Sequence, residues 1–90
     1  MKLVINTCFG GFGLSEVARV FLNVEDDWDV ERDNPLLVAC VEALGEKAFG
    51  RFAELKVVTI PEGATDWELD EYDGAESITY VLDGKIHHLY

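Results

Sequence analysis

The sequence predicts an α+β domain, with two helices packed on a largely antiparallel sheet of four to five strands in the order β-α-α-β-β-β-β. Three observations lead to it. An apolar, β-branched segment opens the chain, and two stretches of helical spacing follow, each behind a capping residue. From Phe52 onward the chain alternates or runs apolar like strands, punctuated by two Asp-Gly pairs of the hairpin type.

Lys2 to Thr7 reads as the first strand. Cys8-Phe9-Gly10-Gly11-Phe12-Gly13 is too rich in glycine for regular structure. Ser15 caps a helix from Glu16 to about Asn23, with Val17, Val20, Phe21 and Val24 at helical spacing and Glu16 suiting the first turn. Residues 25–33 form a charge run holding one apolar anchor, Trp28. Asn34-Pro35 then starts a second helix, whose buried stripe is Leu37, Val41 and Leu44 with Cys40, and which Gly45 stops. Phe52 to Ile60 reads as a central strand ending at Pro61, and Trp67 to Tyr72 as a strand with one buried and one wet face. Asp73-Gly74 and Asp83-Gly84 make two-residue turns, the second setting Ile78–Leu82 against Lys85–Leu89.

Ninety residues form one domain, 1–90, with no room for a second core. A chain of this length hides only roughly 60–65% of its unfolded surface, so nearly every apolar residue is expected to pack. No stretch reaches the ~18 apolar residues of a membrane span. Met1-Lys2 leads into Leu3-Val4-Ile5 and then at once Asn6, a run too short for a signal peptide. Two cysteines, Cys8 and Cys40, lack the density of a secreted disulfide scaffold, so a reducing, cytoplasmic setting is expected.

Eighteen acids against seven bases give a net charge of −11. Direct binding to nucleic acid is disfavoured, because that affinity comes from cations replacing counterions along the phosphates. The complementary partner is a basic protein drawn by the long-range field, while the plain reading is that the acids keep the protein soluble. The charge is uneven. Residues 1–24 hold Lys2 and Arg19 against Glu16, a net of +1; residues 25–33 hold six acids against Arg32, a net of −5; the rest sum to −7.

The glycine-rich segment is the first candidate site. A strand, a flexible loop and a helix start form a cradle for an anion, with Phe9 or Phe12 to stack a base, and Phe9, Gly10, Gly11, Phe12, Gly13 and Ser15 as the contacts. Known phosphate motifs fail here. Gly11-Phe12-Gly13 lacks the last glycine of a dinucleotide fingerprint, no Gly-Lys-Ser/Thr ends the loop, and Leu14 stands where a cysteine phosphatase needs arginine. The structural alternative is that the glycines let Phe9 and Phe12 fold back onto the core.

Cys8 as a nucleophile needs a base. His87 and His88, adjacent on a strand, face opposite sides, so no catalytic pair is expected and no enzyme activity is assigned. The same geometry, without CxxC or HxxxH spacing, argues against a metal site, and no cofactor is implied. A calcium loop starting at Asp27 would need Gly and Glu where Arg32 and Val38 stand. The second candidate site is therefore the acidic run itself: Asp26, Asp27, Trp28, Asp29 and Glu31 docking on a basic surface, with Trp28 as the apolar anchor. Asp66, Glu68, Asp70, Glu71 and Asp73 extend that surface if both clusters share a face. The C-terminal strand, with Ile86 and Leu89, is a candidate sheet edge for pairing with a second copy.

Several segments resemble a group of small uncharacterised proteins of tailed bacteriophages and prophages. They are Val4-Ile5-Asn6, Cys8 through Ser15, Glu31-Arg32-Asp33-Asn34-Pro35, Val41-Glu42 with Leu44-Gly45, Leu55-Lys56-Val57-Val58, Ile60-Pro61 and Glu71-Tyr72-Asp73-Gly74. The resemblance reaches about residue 76; Ser77 to Tyr90 departs from it, forming an apolar hairpin where the group ends in a charged segment. It implies a phage origin, action in the bacterial host cytoplasm and an accessory role, and supplies no activity. By analogy with small acidic phage proteins, the expected role is binding and inhibiting or modulating a host or defence protein.

Overall fold

A computed structural model describes residues 1–27 and 30–90. It has the α+β class and element order expected: β1 (Lys2–Asn6), α1 (Glu16–Leu22), α2 (Pro35–Leu44) running into a 3-10 turn (Gly45–Ala48), β2 (Leu55–Thr59), β3 (Thr65–Tyr72), β4 (Ala75–Leu82) and β5 (Lys85–Leu89). The strands divide differently from expectation. They form two antiparallel sheets, a β1–β2 ribbon and a β3–β4–β5 meander.

The ribbon is the middle of three layers. On one side Val4 and Leu55 join Leu14, Ala18, Leu37, Cys40 and Val41 beneath the helices. On the other, Leu3, Ile5, Val58 and Ile60 pack against Ile78 and Tyr80 of β4. Burial on both faces explains why β1 reads as an unbroken apolar run. The register sets Leu3 opposite Val58 and Val4 opposite Val57, and Met1 and Ile60 continue the ladder through reciprocal bonds of 3.0 and 2.8 Å. Phe52 lies outside β2, exposed in the turn before it, so the strand is shorter than its apolar run suggests.

Both helices begin as expected. Ser15 Oγ accepts from the Ala18 N–H at 3.1 Å and Asn34 Oδ1 from the Leu36 N–H at 2.8 Å. Asn23 ends α1 in the left-handed conformation, and Gly45 follows α2. Along α2 the stripe is Leu37, Val38, Cys40 and Val41, with Leu44 half-buried.

α1 turns most of its expected face outward. Val17, Val20 and Phe21 are exposed, Val24 just beyond the helix packs on the core as expected, and the helix itself packs through Ala18, fully buried between Leu14 and Leu22. The reason is that α1 is apolar almost all round. Leu14, Ala18 and Leu22 form a second stripe at four-residue spacing, and the small Ala18 lets the helix approach its neighbours closely.

Asp73-Gly74 and Asp83-Gly84 turn with positive φ at both residues, as two-residue hairpins require. The second sets Leu82 against Lys85 and Ile78 against Leu89. β3 is wetter than expected, with Leu69 half-buried and Trp67 facing solvent, and its register slips by a bulge between Thr65 and Trp67. β3 and β5 are the sheet edges; on β5, Ile86 is exposed while Leu89 packs inward. Among the described residues, no helix is long and apolar enough to cross a membrane.

Candidate functional site: an acidic cleft floored by the glycine loop

The open edge of β1 organises the site. On its far side from β2, the Val4 N–H donates to the carbonyl of Arg32 at 2.9 Å. Two residues on, the Asn6 N–H donates to Glu76 Oε1 at 2.7 Å. The Arg32 guanidinium grips Glu76 in a fork, Nη1 to Oε1 and Nη2 to Oε2, the latter at 2.7 Å. It also lies 3.7 Å from the centre of the Phe12 ring, a cation–π contact. Glu76 is buried, so its charge rests on this fork and the Asn6 N–H.

Asn6 is the second organiser, fully buried with its side chain saturated. Its amide donates to the carbonyls of Cys8 (2.8 Å) and Gly74 (2.6 Å). Its oxygen accepts from the N–H groups of Cys8 (3.3 Å) and Glu54 (2.9 Å). One side chain thus ties the glycine loop, the β3–β4 turn and the approach to β2 together.

The glycines serve backbone packing. A Cβ on Gly10 would fall 2.1 Å from the Phe52 carbonyl oxygen, one on Gly74 2.3 Å from the Gly11 nitrogen, and one on Gly50 2.7 Å from the Gly13 carbonyl carbon. Gly50 also donates to the Gly13 carbonyl at 2.8 Å. Phe12 folds onto the core beside Arg32; Phe9 does not, and stands 71% exposed. Ser15 is engaged at the α1 cap and with the Lys47 carbonyl.

Above the loop opens a cleft of about 590 Å³, lined among others by Gly11, Phe12, Asp27, Arg32, Glu71 and Glu76. Asp27 comes from the first acidic run and Glu71 from the second, so the two segments meet across the glycine loop. The loop is therefore not a separate neutral surface but the floor between them. Asp27 is fixed by a two-pronged bridge from Arg19, Nε to Oδ1 at 3.1 Å and Nη2 to Oδ2 at 3.3 Å. That hydrogen bond, with the attraction of Asp27's charge behind it, raises the Arg19 pKa above its ordinary value. Glu71 Oε1 accepts from the Gly74 N–H at 2.6 Å. Of the three carboxylates that line the cleft, Glu76 is paired with Arg32 and Asp27 with Arg19, while Glu71 is held by the Gly74 N–H.

Of the residues expected to dock a partner, Asp27 lines the cleft, while Asp26 and Glu31 are exposed and adjoin lining residues in sequence. Trp28 and Asp29 lie outside the described residues. In the second cluster, Glu68 and Asp70 alternate with Glu71 along β3, so the pleat gives them the opposite face. Asp70 there meets Thr79, whose hydroxyl also contacts His88. His87 instead stacks on Tyr80 with ring centres 5.1 Å apart, so the two histidines do occupy opposite faces. Cys40 is fully buried and its thiol pKa is pushed up by burial. Among the described residues, no group of three or more His, Cys, Asp or Glu is placed to hold a metal ion.

Sequence reasoning missed Glu76 and Arg32. The signal was present: the Asp73-Gly74 turn sets Glu71 directly opposite Glu76, and two carboxylates facing each other across strands are destabilising unless a cation offsets them. Comparison with protein-family models, with curated proteins and with solved structures found no match to this chain.

Proposed function

We propose that the chain is an acidic, non-catalytic binding module that receives cationic side chains of a protein partner in the cleft between the 25–33 run and the β3–β4 turn. The observation that carries this reading is the convergence of Asp27, Glu71 and Glu76 on one concavity whose one lining cation among the described residues, Arg32, is paired with Glu76. A lysine or arginine entering there meets prepositioned carboxylates, since Asp27 is held by its two-pronged ion pair with Arg19 and Glu71 by the Gly74 N–H, and both lose little freedom on binding. Three of the segments that resemble tailed-phage proteins, Cys8–Ser15, Glu31–Pro35 and Glu71–Gly74, contribute residues to the lining of this cleft. That resemblance supplies no activity; by analogy with small acidic phage proteins, the partner in this reading is a host or defence protein whose activity the module blocks or modulates. The carboxylates weigh against the other use of the loop, holding a nucleotide-like anion, because a phosphate would sit beside like charge.

The test is titration with a short Lys/Arg-rich peptide followed by calorimetry. Binding is expected at low salt and to weaken strongly between about 0.05 M and about 0.5 M salt. Asp27→Asn with Glu71→Gln, which keep hydrogen-bond acceptors, should weaken it by about tenfold. Equal binding by the double variant, or tighter binding of nucleotides than of the peptide, overturns the reading.

A further inference from the structure

The inverted face of α1 has no role in the cleft. Val17, Val20 and Phe21, at i, i+3 and i+4, are 56%, 76% and 48% exposed, forming an apolar rail on a short helix. The rail is not a frayed end. Ser15 caps its start, and at its finish the Asn23 N–H bonds back to the carbonyls of Arg19 and Val20. In a chain this small, three large apolar side chains left in solvent while Ala18 is buried mark a surface made to be covered.

The surroundings specify the cover. Beside Val20 runs a shallow groove of about 600 Å³ lined by Glu16, Arg19, Val20, Asn23, Val24 and Glu25. Glu16 and Glu25 are exposed, and Arg19, the one cation among the described residues that line the groove, is bridged to Asp27. An apolar rail with an acidic flank is complementary to a segment that is apolar on one face and basic beside it. A second copy would bring the same carboxylates and its own net charge of −11. An anionic lipid surface is likewise of the wrong sign.

We propose that α1 is the apolar anchor of the partner interface, docking an amphipathic basic helix of the partner protein on Val17, Val20 and Phe21, with its Lys/Arg flank against Glu16 and Glu25. This rests on the reading that the partner is basic, and adds the contact that discriminates among basic partners. Charge attracts many of them, whereas buried apolar side chains select by shape.

Two helical peptides of equal charge and about 18 residues distinguish the claims, one with Leu along one face and Lys on the other, one with Gln replacing each Leu. The Leu–Lys peptide is expected to bind at least about tenfold tighter than the Gln–Lys peptide. Val20→Ser with Phe21→Ser should abolish that difference and leave Gln–Lys binding unchanged. Val17→Ser with Val20→Ser, an independent pair, should do the same. The thermal midpoint of both variants should fall by less than about 5 °C, because these side chains are largely exposed and lie outside both core clusters. Equal affinity for the two peptides, or a difference that survives substitution, overturns the inference while leaving the cleft reading standing. Failure of both peptides to bind overturns both. A fall in midpoint of about 5 °C or more shows the rail to be packed, and a concentration-dependent dimer lost on substitution assigns it to a second copy; either result overturns the inference.

Discussion

Glu76→Ala removes the group that closes the free edge of β1, and its effect can be worked from the contacts. The Asn6 N–H, on a fully buried residue, loses its acceptor, which costs about 1–3 kcal/mol for an unpaired buried donor. Arg32 loses its fork partner. Breaking a fully buried pair costs about 3–5 kcal/mol, but the Arg32 side chain is 23% exposed, so water recovers part of that. The two effects overlap, and together we expect a loss of about 3–4 kcal/mol in urea unfolding monitored by circular dichroism. Glu76→Gln keeps an acceptor for the Asn6 N–H and gives up the charge, so its loss should be about 1–2 kcal/mol. In a double-mutant cycle, Arg32→Met with Glu76→Leu should lose less than the sum of the single changes, because neither charge is then stranded. A loss below about 1 kcal/mol for Glu76→Ala would class the pair with exposed salt bridges and refute its role in closing the strand edge.

Three further outcomes follow from the same contacts. Asn6→Ala should cost about 3 kcal/mol or more in the same unfolding assay, since it strands the Glu54 N–H and the Gly74 carbonyl and leaves a cavity. Gly74→Ala should cost over about 2 kcal/mol, because the added methyl meets the Gly11 backbone as well as a positive φ, whereas Gly84→Ala, at the same place in the other Asp-Gly turn with positive φ but open space, should cost about 1 kcal/mol; equal losses would mean that the loop and turn do not touch. Burial raises the Cys40 pKa, so the folded chain keeps its thiol proton where the unfolded chain loses it. The stability this contributes is intact below the ordinary thiol pKa of about 8.5 and falls as pH rises past it, and Cys40→Ala should flatten that alkaline slope in pH-dependent melting.

Local rules carried the sequence reading as far as local rules act. The caps Ser15 and Asn34, the stop at Gly45 and both Asp-Gly turns were legible because each depends on a few adjacent residues. The faces of α1 were not, since Leu14-Ala18-Leu22 and Val17-Val20-Phe21 both satisfy helical spacing and only the neighbours choose between them. The division into two sheets was equally hidden: a strand buried on both faces by a second sheet reads the same as one inside a single sheet. At the site, Asp27 and Glu71 were named from charge, but Asp27 is placed by Arg19 and Glu71 by the Gly74 turn, which Asn6 ties to the glycine loop across 68 residues of sequence. The glycine loop invited a ligand reading because glycine permits both an anion cradle and close backbone contact, and sequence does not separate the two.

Backbone amide shifts in an NMR titration with a Lys-rich peptide bear most directly on whether the cleft receives cations. Movement concentrated at Gly10–Phe12, Asp27, Glu71 and Gly74, suppressed by salt, is the expected result. Shifts confined to the outer face of β3–β5, or none in the cleft at saturating peptide, would contradict it.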